Sequence, residues 1–217
     1  MRDFLLYMCC AEGKCEAELF GPNRIYDVAI NDYSGKNHTP PQAEYRFSVD
    51  EYKYKHIHHA MSDVIANYKA CALFDDDVRV STKDLNRLFL VGDALQLNIW
   101  QAALTANSYS SWSHLYLKHN SCVRLTNTVE IMMPFFSRSA LQTCWESFPI
   151  NYSAWGLQVV WAALLNTEKI AIIDLIPVFH IRPITSFSKV MPNGKTPLEE
   201  AEIVFNQYNL RPPSDIY

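Results

Sequence analysis

Short apolar runs alternate along this chain with longer segments in which apolar residues recur at helical spacing. A short apolar run between polar segments indicates a β-strand, and a run without polar alternation indicates a strand covered on both faces. These patterns predict strands at residues 4–10, 25–31, 45–49, 70–74, 95–104, 122–136 and 170–176.

The first predicted helices lie on either side of the strand at 70–74. Residues 50–68 carry apolar side chains at three- and four-residue steps, the pattern of an amphipathic helix. Ser81 is the predicted N-cap of the next helix, with an acidic residue three positions later. That helix is expected to run to about Val91, because Gly92 can end it.

Three more helices are predicted in the second half of the chain. Ser137 can cap a helix that continues through Phe148. Residues 152–165 contain a strongly apolar helix. The last helix follows Thr196, where Pro197 takes the first helical position and Glu199 completes a capping box.

Three consecutive aspartates end the apolar strand at 70–74. Along an extended backbone, Asp75 and Asp77 point to one side and Asp76 to the other. Open α/β sheets bind ligands at the carboxyl ends of their strands, and a hard divalent cation with bound phosphates relieves the repulsion between neighbouring carboxylates. A solvated acidic turn is the structural alternative, but the apolar strand before the aspartates favours a metal site.

Size, composition and charge indicate one compact domain of ordinary kind. The chain has 217 residues, of which 49% are hydrophobic and 19% charged, enough for a substantial core. Its formal net charge of −4 argues against a general polyanion binder, so we expect no nucleic-acid partner.

The sequence gives no sign of secretion or of a membrane span. Arg2 and Asp3 lead into a short apolar run without a small-residue cleavage site. The longest apolar stretches, 157–165 and 170–179, are too short to cross a bilayer. We therefore expect a cytoplasmic protein without a transmembrane segment, and peripheral contact with a membrane stays open.

The six cysteines include no Cys-x-x-Cys pair. Free thiols in a reducing compartment are therefore the leading interpretation. A disulfide or a metal cluster among Cys9, Cys10 and Cys15 is the alternative.

Two loops could contribute to a binding site. Asp32 follows the second predicted strand and could contact a base or ribose, although an ordinary turn aspartate explains it better. Residues 105–121 form a long polar segment that includes Trp112, His114 and His119. This composition is typical of a binding rim or lid, so we expect a mobile cover over the site.

Several motifs in order resemble a known family. Phe74-Asp75-Asp76-Asp77-Val78 resembles the Asp-x-Asp motif of GT-A glycosyltransferases. More specifically, the order resembles an uncharacterised domain family grouped with them. The shared segments are a helix start with Lys53 and Lys55, this acidic strand end, the run Thr126-Asn127-Thr128-Val129-Glu130-Ile131-Met132-Met133-Pro134-Phe135-Phe136-Ser137, the step Trp155-Gly156-Leu157, and a late strand ending at His180.

The resemblance covers most of residues 3–185 and implies a GT-A-like α/β fold, with a mixed, mostly parallel central sheet flanked by helices. Residues 1–185 would form the catalytic domain, and 186–217 an extension with one amphipathic helix packed on or beside it. The implied activity is metal-dependent transfer of a sugar from a nucleotide-sugar donor to a glycan, a lipid-linked glycan or another hydroxyl acceptor.

The resemblance also implies roles for individual residues. Asp75 would lie near the donor ribose, and Asp77 would hold Mn²⁺ or Mg²⁺ that bridges the diphosphate and offsets charge on the leaving group. His180 would add a metal or phosphate contact, although a satisfied core histidine is the structural alternative. The implied metal set is Asp75, Asp77 and His180, and the implied donor contacts are Asp32, Lys55, Asp75, Asp76, Asn127, Trp155 and Gly156.

One position departs from the family pattern. Relatives often have an acidic residue after the aromatic-Gly-Leu step, where this chain has Gln158. A carboxamide cannot accept the acceptor's proton, so an inverting enzyme would need another base, for which Glu130 is the candidate. A salt bridge from Glu130 to Arg124 or Arg138 is the structural alternative. A retaining mechanism with Gln158 near the anomeric carbon, or loss of activity, also stays open.

Two other functions compete with glycosyl transfer. A non-catalytic module that binds a glycan or nucleotide would tolerate Gln158. A phosphatase of the aspartyl-phosphate type could use Asp75 and Asp77, but that class normally carries its motif on the first strand, and earlier strands are predicted here.

Overall fold

A computed structural model of the protein describes residues 1–11, 17–184 and 189–211. Within them, nine strands form one sheet. The strands are β1 Phe4–Cys10, β2 Tyr26–Asp32, β3 Tyr45–Phe47, β4 Ala70–Asp75, β5 Val78–Arg79, β6 Ile99–Leu104, β7 Val123–Leu125, β8 Phe135–Ser137 and β9 Ile170–His180. The α-helices are α1 Lys53–Ala60, α2 Ser62–Ile65, α3 Thr82–Ala94, α4 Arg138–Cys144, α5 Leu157–Leu164 and α6 Pro197–Gln207. Short 3₁₀ helices occupy Ala17–Phe20, Ser113–Leu115 and Trp145–Ser147.

The sheet is mixed and mostly parallel, as predicted. Its order is β3-β2-β1-β4-β8-β6-β9-β5, and β7 also pairs with β9. Strands β1, β2, β3, β4, β6 and β9 run in one direction, whereas β5, β7 and β8 run in the other. Because β8 separates β4 from β6, the sheet edge beyond Asp75 lies where the parallel order is interrupted.

Hydrophobic clusters cover both faces of the sheet. On one face, Phe89 of α3 stacks on Phe4 and packs against Phe135. On the other face, Tyr54 of α1 and Trp161 of α5 pack together with their rings 5.4 Å apart. This double coverage explains why β1, β2 and β6 are buried along their whole lengths, and why β1 is a continuous apolar run.

The predicted strand at 122–136 is wrong as a single element. Only β7 and β8 are extended, and an irregular segment joins them. Thr126 donates its backbone N–H to the carbonyl oxygen of Ile170 and then leaves the ladder. Asn127 follows in an exposed position, and Pro134, which has no N–H to donate, directly precedes β8.

Two helix boundaries also differ from prediction. The helix expected over 50–68 is interrupted at Met61, whose φ of −115° and ψ of 0° are not helical, giving α1 and α2. Helix α3 continues through Gly92 to Ala94. Position 92 requires glycine because the Trp100 indole packs against it. An added Cβ would lie 2.1 Å from the indole.

The capping box predicted for α6 is confirmed. The Thr196 side chain accepts from the Glu199 backbone N–H, and the Glu199 carboxylate accepts from the Thr196 N–H at 2.7 Å. Buried Glu200 accepts backbone hydrogen bonds from Tyr152 at 3.1 Å and Ser153 at 2.7 Å. These bonds hold α6 against the segment that precedes α5.

The cysteine prediction needs correction at Cys10, which is disulfide-bonded. Free thiols are confirmed for Cys9, Cys71, Cys122 and Cys144, and Cys15 lies outside the described residues. Across the described parts of the chain, every helix is too short or too polar to cross a bilayer.

Candidate active site

A cavity of about 700 Å³ opens at the carboxyl end of β4. It is lined from five regions: the end of β4 and the turn after it, residues 109–112, the segment before β8, the end of β9 and the residues after it, and helices α5 and α6 with the residues that precede α5. The lining residues are Asp75, Asp77, Tyr109, Ser110, Ser111, Trp112, Glu130, Ile131, Met132, Trp155, Gly156, Gln158, His180, Arg182, Pro183, Ile184, Leu198, Ala201, Glu202 and Phe205.

Asp75 and Asp77 share the cavity as predicted, but the triplet is not extended, because Asp76 and Asp77 form the turn between β4 and β5. Asp75 and Asp77 line the cavity, whereas Asp76 is buried outside the lining. The Lys53 ammonium contacts Asp75 Oδ1 at 2.6 Å and donates to the carbonyl oxygen of Ile131 at 2.7 Å. Burial raises the pKa of Asp75, and nearby Asp77 and Asp76 add to the rise against the opposing effect of Lys53.

Asp77 is held by His180 at the end of β9. Nδ1 of His180 lies 2.6 Å from the carbonyl oxygen of Tyr109, which can only accept, so Nδ1 carries a proton. Nε2 lies 3.3 Å from Asp77 Oδ2. Burial alone would lower the pKa of His180, but its contacts with Asp77 and Tyr109 raise it. Burial likewise opposes the ionised form of Asp77, but His180 outweighs it and lowers the Asp77 pKa.

Arg182 is a charged residue of the cavity that the sequence patterns missed. Its Nη1 lies 2.9 Å from Asp76 Oδ1 and 3.9 Å from Asp77 Oδ2. The Arg182 side chain is 46% exposed and lines the cavity. A guanidinium in this position suits a phosphate group.

Glu130 lies in the irregular segment before β8, not in a strand. Its carboxylate accepts from the Ile131 backbone N–H at 3.0 Å, and its own backbone N–H donates to Gln101. Burial, reinforced by Asp75, raises the pKa of Glu130 to about 7, although the Ile131 hydrogen bond and the charges of His180 and Lys53 lower it. A carboxylate poised near neutral pH suits a general base.

The salt bridges considered for Glu130 do not form. Arg124 binds Asp174 at 2.8 Å and the carbonyl oxygen of His114 at 2.6 Å. Arg138 donates to the carbonyl oxygen of Tyr68 at 2.8 Å. The raised pKa of Glu130 therefore reflects a carboxylate in the cavity wall without an arginine partner of this kind.

The Trp155-Gly156-Leu157-Gln158 step places three of its residues at the cavity. Gly156 caps α5 with φ +90°, a conformation that favours glycine, and an added Cβ would lie 3.3 Å from the Phe205 ring. Gln158 is buried in the first turn of α5, and its Oε1 has no hydrogen-bond partner among the described residues. Together with Trp155, these residues line the cavity as the family pattern suggested.

Four expected donor contacts lie outside the lining: Asp76, which is buried beside it, and Asp32, Lys55 and Asn127. Asp32 accepts from the Ser34 hydroxyl at 2.6 Å and the His38 N–H at 2.7 Å, as a turn aspartate does. Lys55 donates to the carbonyl oxygen of Pro149 at 2.7 Å, and Asn127 is exposed between β7 and β8. Lys53, not Lys55, is the lysine that reaches the aspartates.

The predicted cover at 105–121 contributes Tyr109, Ser110, Ser111 and Trp112 to the cavity. Ser108 Oγ accepts from the His180 backbone N–H at 3.1 Å, and Tyr109 N–H donates to the His180 carbonyl oxygen at 3.2 Å. These contacts attach the segment to the end of β9, and its mobility stays a prediction.

The fit of the site to a divalent cation can be judged from its oxygen atoms. Among the described residues, no group of three or more His, Cys, Asp or Glu side chains is arranged to hold a metal. Asp75, Asp77 and His180 therefore share a cavity without forming a three-ligand cage. Asp77 Oδ1, however, is buried without a hydrogen-bond partner in the described chain. The residues thus fit a cation held by one carboxylate oxygen together with phosphate oxygens of a ligand.

Solved structures with this fold identify its class as GT-A-like. The structure of S. aureus TarS 1-349 in complex with UDP matches with a TM-score of 0.57 at 10% identity, over 82% of this chain and 59% of that one. The complex of TarS 1-349 with UDP-GlcNAc gives 0.54, 10%, 82% and 57% for the same measures. A third structure, of S. aureus TarS, gives 0.55, 10%, 96% and 43%.

At this low sequence identity, these comparisons establish the fold and nothing more about this chain. The chain spans less than two thirds of each of these TarS structures. No protein family profile and no curated protein sequence matches the chain.

Proposed function

We propose that the protein is a metal-dependent glycosyltransferase that moves a sugar from a nucleotide-sugar donor to a hydroxyl acceptor. The observation that carries the proposal is one cavity, at the carboxyl edge of a GT-A-like sheet, that combines Asp75, Asp77 and Glu130 with the cationic groups of His180 and Arg182. The TarS neighbours bind UDP and UDP-GlcNAc. A nucleoside diphosphate sugar is a ligand that such a mixed set of charges would suit.

The diphosphate would lie beside Arg182 and Asp77. Arg182 would donate to the phosphate oxygens, and the imidazolium of His180 would add positive charge while holding Asp77 in place. Asp77 Oδ1 and the phosphates would hold Mn²⁺ or Mg²⁺, which when bound stabilises negative charge on the departing diphosphate. Asp75, fixed by Lys53, would face the ribose.

Glu130 would serve as the base of an inverting reaction. The acceptor oxygen forms a bond to the anomeric carbon while the bond from that carbon to the diphosphate oxygen breaks, and the bonding electrons leave with the nucleoside diphosphate. The acceptor proton passes to the Glu130 carboxylate, whose pKa of about 7 leaves much of it ionised near neutral pH. Gln158 would orient the sugar, since its unpartnered Oε1 can accept from a sugar hydroxyl.

Binding of a nucleoside diphosphate tests the proposal. Calorimetry with UDP and a panel of other nucleoside diphosphates should show binding that strengthens with Mn²⁺, and Asp77→Asn should remove the gain from Mn²⁺. Asp84→Asn, a change in the first turn of α3 outside the cavity lining, is the matched control and should bind like wild type. Equal affinity of the wild type for nucleoside diphosphates with and without Mn²⁺ would reject the proposed metal dependence.

A non-catalytic module is the second candidate, because Gln158 stands where relatives often carry an acid. It predicts the same binding without turnover. Incubation of each nucleotide sugar with Mn²⁺ and release of the free nucleoside diphosphate separates the two candidates.

A further inference from the structure

The cavity has two sides of different chemistry. The ionisable groups of β4, β9 and Glu130 form one side. The other side, which we call the apolar wall, consists of Trp112, Ile184, Leu198, Ala201 and Phe205.

Helix α6 supplies most of the apolar wall from one face. Leu198, Ala201 and Phe205 recur at three- and four-residue steps, so they share that face with Glu202. Phe205 and Ala201 are buried, whereas Leu198 is partly accessible from the cavity.

Hydrogen bonds and close packing fix the position of α6, and with it most of the apolar wall. Glu200, on a neighbouring face, is buried and also accepts from Asn193 at 2.7 Å. At Gly156 the backbone approaches α6 so closely that an added Cβ would lie 3.4 Å from the Ala201 Cα. Packing and hydrogen bonds thus hold the α6 part of the wall in place.

The base is the one part of the donor with an aromatic face that suits this wall. A nucleoside diphosphate sugar carries two phosphates and several hydroxyls, which need charged and hydrogen-bonding partners. Those partners lie on the other side of the cavity. Glu202 adds a negative charge beside the apolar wall and disfavours an anionic second substrate.

We infer that the apolar wall receives the acceptor, and that the acceptor joins its reactive hydroxyl to an alkyl or aryl group. This inference rests on the proposed function, since it names the second substrate of the same site. Burial of an alkyl or aryl group against Leu198 and Phe205 is favourable, and the polar end is left toward Glu130 and Gln158. A free sugar would gain much less from this surface.

The test uses binding of octyl glucoside and methyl glucoside, measured by calorimetry below the micelle concentration, with saturating UDP and Mn²⁺. Octyl glucoside should bind at least tenfold more tightly than methyl glucoside, and phenyl glucoside should separate aryl from alkyl preference. Leu198→Ser should remove most of the octyl advantage. Ile203→Ser changes an exposed residue of α6 outside the cavity and should keep it.

Three results would overturn the inference: equal affinity for the octyl and methyl compounds in the wild type, equal loss in Leu198→Ser and Ile203→Ser, or displacement of octyl glucoside by UDP. The last would assign the wall to the donor and leave the proposed function intact. Absence of binding by UDP and by every other nucleoside diphosphate of the panel would instead reject the proposed function, while the glucoside series without nucleotide would still report on the wall.

Discussion

Carboxylates at the two ends of the parallel strands have different surroundings. At the amino end, Asp27 of β2 accepts from the Arg2 guanidinium at 2.6 Å, the Arg2 backbone N–H at 3.1 Å and the Tyr68 hydroxyl at 2.9 Å. At the carboxyl end, Asp77 has one oxygen without a partner in the described chain, and Glu130 accepts only a backbone hydrogen bond from Ile131 among the bonds observed.

The difference teaches which acids stabilise the fold and which await a ligand. A buried carboxylate whose hydrogen-bond partners all come from the protein needs no ligand to satisfy it. A buried oxygen without a partner raises the free energy of the folded protein and persists where something else binds it. Hydrogen-bond partners therefore distinguish Asp27 from Asp77 more clearly than burial does.

The largest effect should come from Glu130→Gln. This nearly isosteric change removes the proposed proton acceptor, and loss of a general base typically lowers the rate by about 100- to 10,000-fold. Turnover with a donor that binds should fall by that factor while calorimetry shows unchanged donor affinity. Asp63→Asn, a change on exposed α2, is the control. Wild-type turnover in Glu130→Gln would reject the base, and NMR of the new glycosidic linkage would show whether retention is the reason.

Asp27, whose hydrogen-bond partners all come from the protein, should contribute to stability and not to turnover. Asp27→Ala leaves the buried Tyr68 hydroxyl and Arg2 without their shared acceptor, and an unsatisfied buried group costs about 1–3 kcal/mol. Urea denaturation should show this loss in the free energy of unfolding. Asp77→Asn keeps an acceptor for His180 and should change stability much less. Equal losses in the two variants would contradict the distinction between the ends.

A smaller loss is expected at Gly156, which shapes the carboxyl end. Gly156→Ala forces a side chain into φ +90° and against Phe205, and a left-handed backbone costs a non-glycine residue about 1–2 kcal/mol. Gly35→Ala, also at positive φ but with open space around it, isolates the backbone cost. Thermal unfolding of both variants should show a larger drop for Gly156→Ala. An equal drop would mean that the contact with α6 is loose.

The smallest effects are opposite pH dependences of stability at the two ends. Burial raises the pKa of Asp27, but the Arg2 and Tyr68 hydrogen bonds outweigh it and lower the value. Its stabilisation is therefore lost as pH falls through the lowered pKa. Glu130 has a pKa of about 7 against an ordinary value of 4.5, so the folded protein gains stability as pH falls from about 7.

Unfolding measured from about pH 2 to 8 can separate these contributions. The stability difference between wild type and Glu130→Gln should change across pH 4.5–7. The difference for Asp27→Ala should shrink only in stronger acid. Turnover, which needs ionised Glu130, should rise as pH increases through about 7. Parallel pH curves for wild type and both variants would show that neither carboxyl behaves as described.

Local sequence patterns predicted most of the fold because its strands are covered on both faces. Runs such as 4–10 and 70–74 are apolar throughout, and no other element of that length fits them. The capping box at Thr196 is likewise a local signal with one structural meaning. The short strand β8 was not predicted as a separate element, because it lies within a longer apolar run. Its pairing with β4 and β6 depends on residues distant in sequence.

The site was predictable where a motif carried it and not where the fold assembled it. The acidic strand end indicated Asp75 and Asp77, and the family pattern led to Glu130 and His180. Arg182 follows the last strand, and its approach to Asp76 depends on the antiparallel pairing of β5 with β9. Such a signal becomes visible only when charged residues just beyond every predicted strand are considered together.

The place of α6 in the cavity wall has a consequence for the order in which the protein forms. Chains leave the ribosome from the amino end, and early segments begin to fold first. Strands β1 to β4 and the aspartates can assemble while residues near 205 are still being added. The pocket gains its last side only when α6 emerges and docks on Gly156. A nascent chain could therefore pair Asp75 with Lys53 well before it could enclose a substrate.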